Sequence, residues 1–86
     1  MTFAVFYDTQ PRKFLKSLDK HILRRIVNKI DETLSENPVP HDAKPLVGKH
    51  GVFRIRIGDY RALYRINHLE TKVIVIDIDK RSRVYK

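Results

Sequence analysis

The stretch FRIRIGDYRALYRI, residues 53 to 66, decides how this chain folds. Apolar residues alternate with arginine on both sides of Gly58-Asp59, and this alternation is typical of a strand with one buried face. Glycine at the first position of a two-residue loop favours a type II′ turn, whose twist suits a β-hairpin. The stretch therefore predicts two antiparallel strands joined at Gly58-Asp59.

The short loop also determines which residues of the two strands lie opposite each other. Counting outward from the loop pairs Ile57 with Tyr60, Arg56 with Arg61, Ile55 with Ala62, Arg54 with Leu63, Phe53 with Tyr64 and Val52 with Arg65. The apolar pairs belong to the buried face and the arginines to the other. Arg54, Arg56 and Arg61 are therefore expected to converge on one region of the sheet.

Converging arginines destabilise an unoccupied sheet, because like charges directly opposite each other cost about 0.2 to 1 kcal/mol per pair. No Asp or Glu alternates with the arginines along the two predicted strands. A solvated face that carries arginine only for solubility is the alternative, and it fits scattered charges better than converging ones. The sequence therefore predicts a purely cationic cluster that binds an anion.

The composition describes one small, basic, globular domain spanning residues 1–86. This length suffices for a single hydrophobic core, and 42% hydrophobic with 33% charged residues excludes a disordered or fibrous chain. Lys and Arg number 18 against 10 Asp and Glu, which gives a formal net charge of +8. That excess predicts an anionic partner such as nucleic acid or an acidic protein, with solubility alone as the alternative.

Several kinds of site are excluded. Because the chain has no cysteine, it has neither disulfides nor a thiolate site. No signal peptide and no apolar span of about 20 residues is readable, so we expect a cytoplasmic protein that does not insert into a membrane. The histidines match no metal-ligand spacing, so no metal site and no cofactor are expected.

Before the hairpin, the pattern predicts a strand followed by two helices. Residues 2–7 are rich in β-branched and aromatic side chains and predict the strand. Asp8 or Thr9 would cap a short first helix. Asp19 would cap a second helix, which ends before Pro38. The second helix has the clearest amphipathic stripe of the chain, formed by Ile22, Leu23, Ile26, Val27, Ile30 and Leu34.

Around the hairpin, residues 37–51 predict an irregular connector that brings Lys44 and Lys49 towards the sheet, and residues 72–79 predict a long central strand. The predicted faces of that strand are Ile74, Ile76 and Ile78 on one side, and Val73 and Val75 on the other. The whole pattern predicts an α+β fold: an N-terminal strand, and a helical hairpin packed on one face of an antiparallel sheet that a three-strand meander completes. The arginines would then lie on the uncovered face.

Two motifs carry a resemblance to a known family: Gly58-Asp59-Tyr60-Arg61 within the hairpin, and the C-terminal Lys80-Arg81-Ser82-Arg83-Val84-Tyr85. With these motifs and its order of strand, two helices, meander and basic tail, the whole chain resembles the RelE/ParE superfamily, specifically the RelE-like toxins of type II toxin–antitoxin systems. The resemblance implies a RelE-like fold. It also implies a metal-independent, ribosome-dependent endoribonuclease, an mRNA interferase that inhibits translation.

The resemblance implies a reaction and the residues that perform it. The ribose 2′-hydroxyl would attack the adjacent phosphorus within the ribosomal A site, and a 5′-hydroxyl would leave. The implied catalytic residues are Arg54, Arg56, Arg61, Arg81 and Tyr85, and the RNA-binding residues expected around them are Lys44, Lys49, Arg65, Lys80 and Arg83. Arg61 and Arg81 would stabilise the transition state. Arg54 would orient the RNA backbone, and Tyr85 would stack on or hydrogen-bond the nucleotide.

The acceptor of the 2′-hydroxyl proton is a separate question. Some members of the family carry lysine at the positions of Arg54 and Arg56, whereas an arginine guanidinium stays protonated in proteins. We therefore expect Arg56 to act electrostatically, and ribosomal RNA or water to take the proton. A histidine acceptor, among His41, His50 and His68, is the alternative.

The resemblance also implies partners: the ribosome with its messenger RNA, and an acidic RelB-like antitoxin that covers or displaces the basic face. Two other functions stay open. A ParE-like member of the superfamily would bind and inhibit DNA gyrase without chemistry, and a basic RNA-binding module would have no toxicity. Retention of the full arginine set and of Tyr85 favours the nuclease.

Overall fold

Two helices pack on one face of a five-stranded sheet in the computed structural model, which describes residues 2–80. The elements in chain order are β1 (Ala4–Tyr7), α1 (Thr9–Lys16), α2 (Lys20–Glu36), β2 (Lys44–Pro45), β3 (Val52–Ile57), β4 (Tyr60–Asn67) and β5 (Lys72–Lys80). The strands lie in the order β1-β5-β4-β3-β2. The predicted α+β architecture, with its helical hairpin and its meander of β3, β4 and β5, is confirmed.

The sheet differs from the predicted antiparallel one in a single pairing. β1 runs parallel to β5, whereas the other neighbouring strands are antiparallel. The meander strands follow each other through short turns, and short turns impose antiparallel pairing. No such turn links β1 to β5, because the helices and the other strands separate them along the chain. The direction of β1 was therefore not readable from local sequence.

The hairpin of β3 and β4 has the predicted register at every pair. The observed partners are Val52 with Arg65, Phe53 with Tyr64, Arg54 with Leu63, Ile55 with Ala62, Arg56 with Arg61 and Ile57 with Tyr60. Gly58 has a φ of 58°, a conformation that glycine adopts without the steric cost that other residues incur. The glycine in this tight turn explains why the two strands align as the sequence predicts.

The helix ends agree with the prediction in all but one detail. Asp8 caps α1, since its carboxylate accepts a hydrogen bond of 2.8 Å from the backbone N–H of Thr9. Asp19 precedes α2 as predicted, but its side chain makes no capping hydrogen bond. α2 ends at Glu36, shortly before Pro38, which lacks the N–H that a helix requires.

The core lies between the helices and one face of the sheet. It consists of Leu15, Ile26, Ile30 and Leu34 from the helices, and Ile55, Ile57, Ala62, Tyr64, Val73, Val75 and Ile78 from the sheet. Tyr64 is fully buried, and its hydroxyl donates a hydrogen bond of 2.7 Å to the carbonyl oxygen of Pro38. Its ring stacks on Phe53 with 5.8 Å between centroids, and burial raises the pKa of Tyr64 to about 12. These contacts hold β4 against the segment that follows α2.

A bulge in β5 changes which of its residues face the core. Tyr64 pairs with Val75 and Leu63 pairs with Asp77, so Ile76 is an extra residue. One extra residue inverts the in-and-out alternation of everything beyond it. The core-facing residues of β5 are therefore Val73, Val75 and Ile78, and the predicted grouping of Ile74, Ile76 and Ile78 on one face is wrong.

The side chain of Gln10 continues the hydrogen bonding of the sheet beyond the end of β1. Its Nε2 donates to the carbonyl oxygen of Ile78, and its Oε1 accepts from the N–H of Ile78, both at 2.9 Å. The backbone N–H of Asp8 makes the preceding contact with β5, at the carbonyl oxygen of Val75. The amide of Gln10 thereby joins α1 to β5 next to the bulge.

Replacing Gln10 with alanine should lower the free energy of unfolding by about 1 to 3 kcal/mol, because both backbone groups of Ile78 lose a partner in a part-buried position. Urea denaturation followed by circular dichroism measures the change. Lys13→Ala, at an exposed position on the same helix, is the control and should change stability by less than about 0.5 kcal/mol. Equal losses in the two variants would contradict this role of the amide.

Candidate anion-binding site

Four cationic side chains line one cleft on the sheet face that the helices leave uncovered. Arg54 and Arg56 come from β3, Arg61 from β4 and Lys44 from β2, and Asp42 completes the lining. The cleft has a volume of about 130 Å³. The structure therefore brings these four predicted site residues together.

The register of the strands is what makes the cations converge. Arg56 and Arg61 are a directly opposed pair, and Lys44 lies opposite Arg54 on the other side of β3. Opposed residues in a sheet have Cβ atoms about 4.5 to 5.5 Å apart, so these charges repel each other. Within residues 2–80, none of the three guanidinium groups forms an ion pair shorter than 4.0 Å. Their N–H donors are therefore suited to bind an anion.

Two carboxylates of β5 lie beside the arginines, contrary to the prediction of a purely cationic cluster. Asp79 is directly opposite Arg61, and Asp77 lies on the same face, one row further along the strand. The bulge at Ile76 is the cause, since without the extra residue Asp77 would lie opposite Ala62 in the core. The sheet face that the helices leave uncovered is called the arginine face below. It is basic on β2, β3 and β4 and acidic on β5.

Asp77 holds its proton more strongly than an ordinary aspartate does. Burial raises the pKa of this half-buried carboxyl group, and the charge of Asp79 raises it further. The charges of Arg61 and Lys49 lower the pKa, but burial and the charge of Asp79 together outweigh them. A carboxylate in this environment is a stronger base than an exposed one, which suits proton transfer.

The other predicted RNA-binding residues that the structure describes do not line the cleft. Lys49 lies in the loop before β3, close enough to Asp77 to act on its charge. Arg65 is exposed on the arginine face but further along β4. Lys80 lies opposite Tyr60, whose ring contacts α1, so Lys80 is on the helix side of the sheet. Only Lys44 of the predicted RNA-binding set therefore joins the arginines in the described part of the chain.

Three more predicted site residues, Arg81, Arg83 and Tyr85, lie outside the described residues, and their assignments stay predictions.

None of the three candidate histidines lines the arginine cleft. Residues 2–80 hold no group of three or more His, Asp or Glu side chains arranged to bind a metal ion. Neither described helix has the length and apolar character needed to cross a bilayer.

Sequence reasoning missed Asp42, Asp77 and Asp79 as parts of the site. A signal existed for the last two, because the alternation Ile-Asp-Ile-Asp at residues 76–79 places both carboxylates on one face of a strand. Which face that would be depends on the bulge, and the bulge follows from tertiary packing. Asp42 lies in the irregular connector, where no periodicity indicates direction.

Comparison with known proteins shows to which class and family of proteins this chain belongs. Residues 5–85 match the family model described as the ParE toxin of type II toxin–antitoxin system, parDE, so the class is a toxin of such a system. Toxin RelG of Mycobacterium tuberculosis is 34% identical over 87 residues, which cover 100% of this chain and 99% of that protein. The chain belongs to the RelE/ParE superfamily of toxins.

Solved structures of RelE-type toxins have the same fold as this chain. The toxin–antitoxin complex RelBE2 from Mycobacterium tuberculosis contains a chain with a TM-score of 0.82 and 33% identity, covering 95% of this chain and 94% of that one. The archaeal RelE–RelB complex from Pyrococcus horikoshii gives a TM-score of 0.79 and 33% identity, with coverage of 96% and 99%. The predicted RelE-like fold is confirmed.

Replacing Asp77 with asparagine should raise the free energy of unfolding at neutral pH. The folded-state pKa of Asp77 lies above its ordinary value of 3.8, so the ionised carboxylate destabilises the folded protein. This cost is fully present above the folded-state pKa and disappears below the ordinary value, so the gain should shrink in acid. Urea denaturation at about pH 7 and about pH 4 measures both effects. A variant less stable than the wild type at neutral pH would contradict the argument.

Proposed function

We propose that this toxin is a metal-independent endoribonuclease that cleaves messenger RNA in the ribosomal A site and so inhibits translation. The observation that carries the proposal is the convergence of Arg54, Arg56, Arg61 and Lys44 on one cleft of the sheet. Several guanidinium forks around a small cleft suit a single phosphate group. Membership of the RelE/ParE superfamily, and 34% identity to Toxin RelG, support the toxin part of this proposal.

The proposed chemistry asks little more of the protein than position and charge. RNA supplies its own nucleophile, because the ribose 2′-hydroxyl lies next to the scissile phosphorus. Arg56 and Arg61 occupy opposed positions on adjacent strands, so both can donate hydrogen bonds to the non-bridging oxygens. Arg54 would hold the neighbouring backbone, while Arg81 and Tyr85 would complete the site from the C-terminal tail.

A defined message in an in vitro translation extract tests the proposal. The wild-type protein should cut within codons, and the cuts should disappear when ribosomes are omitted. Arg61→Gln should cut about 10² to 10³-fold more slowly, because a donor to the developing charge is lost. Lys20→Gln removes the same charge from the exposed start of α2 and is the matched control. An uncut message with wild-type protein, or equal rates for the two variants, would refute the proposal.

The family model favours one other candidate, because it is named for the ParE toxin. A ParE-like protein would inhibit DNA gyrase by binding it, without chemistry on RNA. A plain RNA-binding module would have neither activity. Both candidates leave the message in the translation extract intact, and a supercoiling assay with purified gyrase separates them.

We also propose an acidic RelB-like antitoxin as the partner that covers the basic face. The net charge of +8 supports an anionic partner, since complementary charge speeds association and suppresses wrong partners. The relatives from Mycobacterium tuberculosis and Pyrococcus horikoshii were both solved as toxin–antitoxin complexes. A partner seated over the cleft would keep RNA out of it.

The association rate constant for the antitoxin should fall by at least about tenfold as the salt concentration rises from about 0.05 to 0.5 M. Screening is the reason, since long-range attraction to a basic face weakens as the Debye length shortens. Stopped-flow fluorescence with the protein encoded beside the toxin measures the rate constant. A flat response over this range would count against an electrostatic role for the basic face.

A further inference from the structure

The proposed reaction needs an acceptor for the proton of the 2′-hydroxyl, and the arginines of the cleft cannot serve as one. A guanidinium group stays protonated in a protein, so it binds and stabilises charge without acting as a base. Three carboxylates lie near the arginines: Asp42 in the cleft lining, and Asp77 and Asp79 on β5. The question is therefore which of these carboxylates can take the proton.

The position of Asp77 places it within reach of a phosphate held by Arg61. Leu63 and Asp77 form one cross-strand pair, and Arg61 and Asp79 form the next pair on the same face. Diagonal neighbours of this kind are about 7 to 8 Å apart at the backbone, a distance that a long side chain and a nucleotide can span. A ribose lying over β4 would thus have the arginines of β3 on one side and Asp77 of β5 on the other.

The surroundings distinguish Asp77 from the other two carboxylates. Asp42 is exposed in the irregular connector, and a side chain on a loop is positioned less precisely than one on a strand. Asp79 lies directly opposite Arg61, and its Oδ1 accepts a hydrogen bond of 2.7 Å from the N–H of Lys80. Asp77 is half-buried on a central strand, and its side chain makes neither a hydrogen bond nor an ion pair within residues 2–80. No side chain of residues 2–80 therefore occupies its oxygens.

The bulge gives an independent reason to assign a role to Asp77. It turns a carboxylate that would otherwise lie in the core, opposite Ala62, towards the arginine face. Bulges often occur beside active sites, where they redirect a side chain. A half-buried carboxylate that forms no hydrogen bond with the described residues 2–80 destabilises the fold, and functional sites are where such groups are retained. The groups that act on its charge are Asp79 on β5, Arg61 on β4 and Lys49 in the loop before β3.

We propose that Asp77 accepts the proton of the attacking 2′-hydroxyl, an inference that rests on the proposed endoribonuclease function. The O2′–H bond breaks and its proton moves to a carboxylate oxygen of Asp77, while O2′ forms a bond to phosphorus. The bond between phosphorus and O5′ breaks, and O5′ leaves with its electron pair and takes a proton from water. The hydroxide so formed takes the proton back from Asp77. The products are a 2′,3′-cyclic phosphate and a 5′-hydroxyl, and the carboxylate is restored.

The dependence of the cleavage rate on pH tests this assignment. Toxin in excess over ribosomes carrying a defined message gives the single-turnover rate. The wild-type rate should change little between about pH 6.5 and 8, because a carboxylate rather than hydroxide accepts the proton. Asp77→Asn should be about 10² to 10⁴-fold slower, and its remaining rate should rise about tenfold per pH unit, since hydroxide then replaces the carboxylate.

Three comparison variants make the result specific to Asp77. Asp79→Asn and Asp42→Asn remove the same charge from the same region, and both should keep the flat pH profile. Asp77→Glu retains a carboxylate and should also keep the flat profile at a reduced rate. A wild-type profile in Asp77→Asn would refute the assignment, and so would a hydroxide-dependent rate in either asparagine control.

A binding measurement separates a chemical role of Asp77 from a role in RNA binding. Asp77→Asn should bind ribosomes carrying a message with a 2′-deoxy A-site codon within about threefold of the wild-type affinity, because the arginines are intact. A large loss of affinity would mean that Asp77 holds the site together and would overturn its role as a base. If the wild-type protein fails to cut any message, the endoribonuclease function itself is wrong. If the wild type cuts and Asp77→Asn cuts with the same pH profile, only the role of Asp77 is wrong.

Discussion

The tight turn at Gly58-Asp59 is the constraint on which the basic face depends. It leaves the hairpin of β3 and β4 one register, and a shift by one residue would bring the arginines into the core and the apolar side chains into water. The pairing that buries Ile55 against Ala62 is therefore the same pairing that sets Arg56 opposite Arg61. Apolar burial on one face holds repelling charges together on the other.

The two faces of the sheet differ in what they contribute to stability. On the helix side, Tyr64, Val73, Val75 and Ile78 are fully buried, and the buried hydroxyl of Tyr64 has a hydrogen-bond partner. On the other side, like charges face each other and Asp77 is partly dehydrated, and each of these features weakens the fold. Such an arrangement is expected where a surface is selected to bind a charged ligand, because the ligand removes the repulsion that the free protein retains.

How far the fold and site were predictable depends on the range of the interactions involved. The hairpin register and the amphipathic face of α2 follow from neighbouring residues, and both predictions are confirmed. The pairing of β1 with β5 and the bulge at Ile76 depend on packing between distant segments. The hydrophobic periodicity of neighbouring residues does not reveal such packing. Arg54, Arg56 and Arg61 were predictable because the turn aligns them, whereas Asp77 was not, because the bulge alone decides its face.

The amide of Gln10 also has a consequence for how this molecule behaves among its own copies. Beyond β1, the backbone of β5 at Ile78 would present an open N–H and carbonyl at the border of the sheet, and such groups recruit foreign strands. The amide satisfies both with a single side chain, which no incoming strand can extend. One side chain of a short helix thereby makes this edge of the sheet less prone to pair with other copies of the protein.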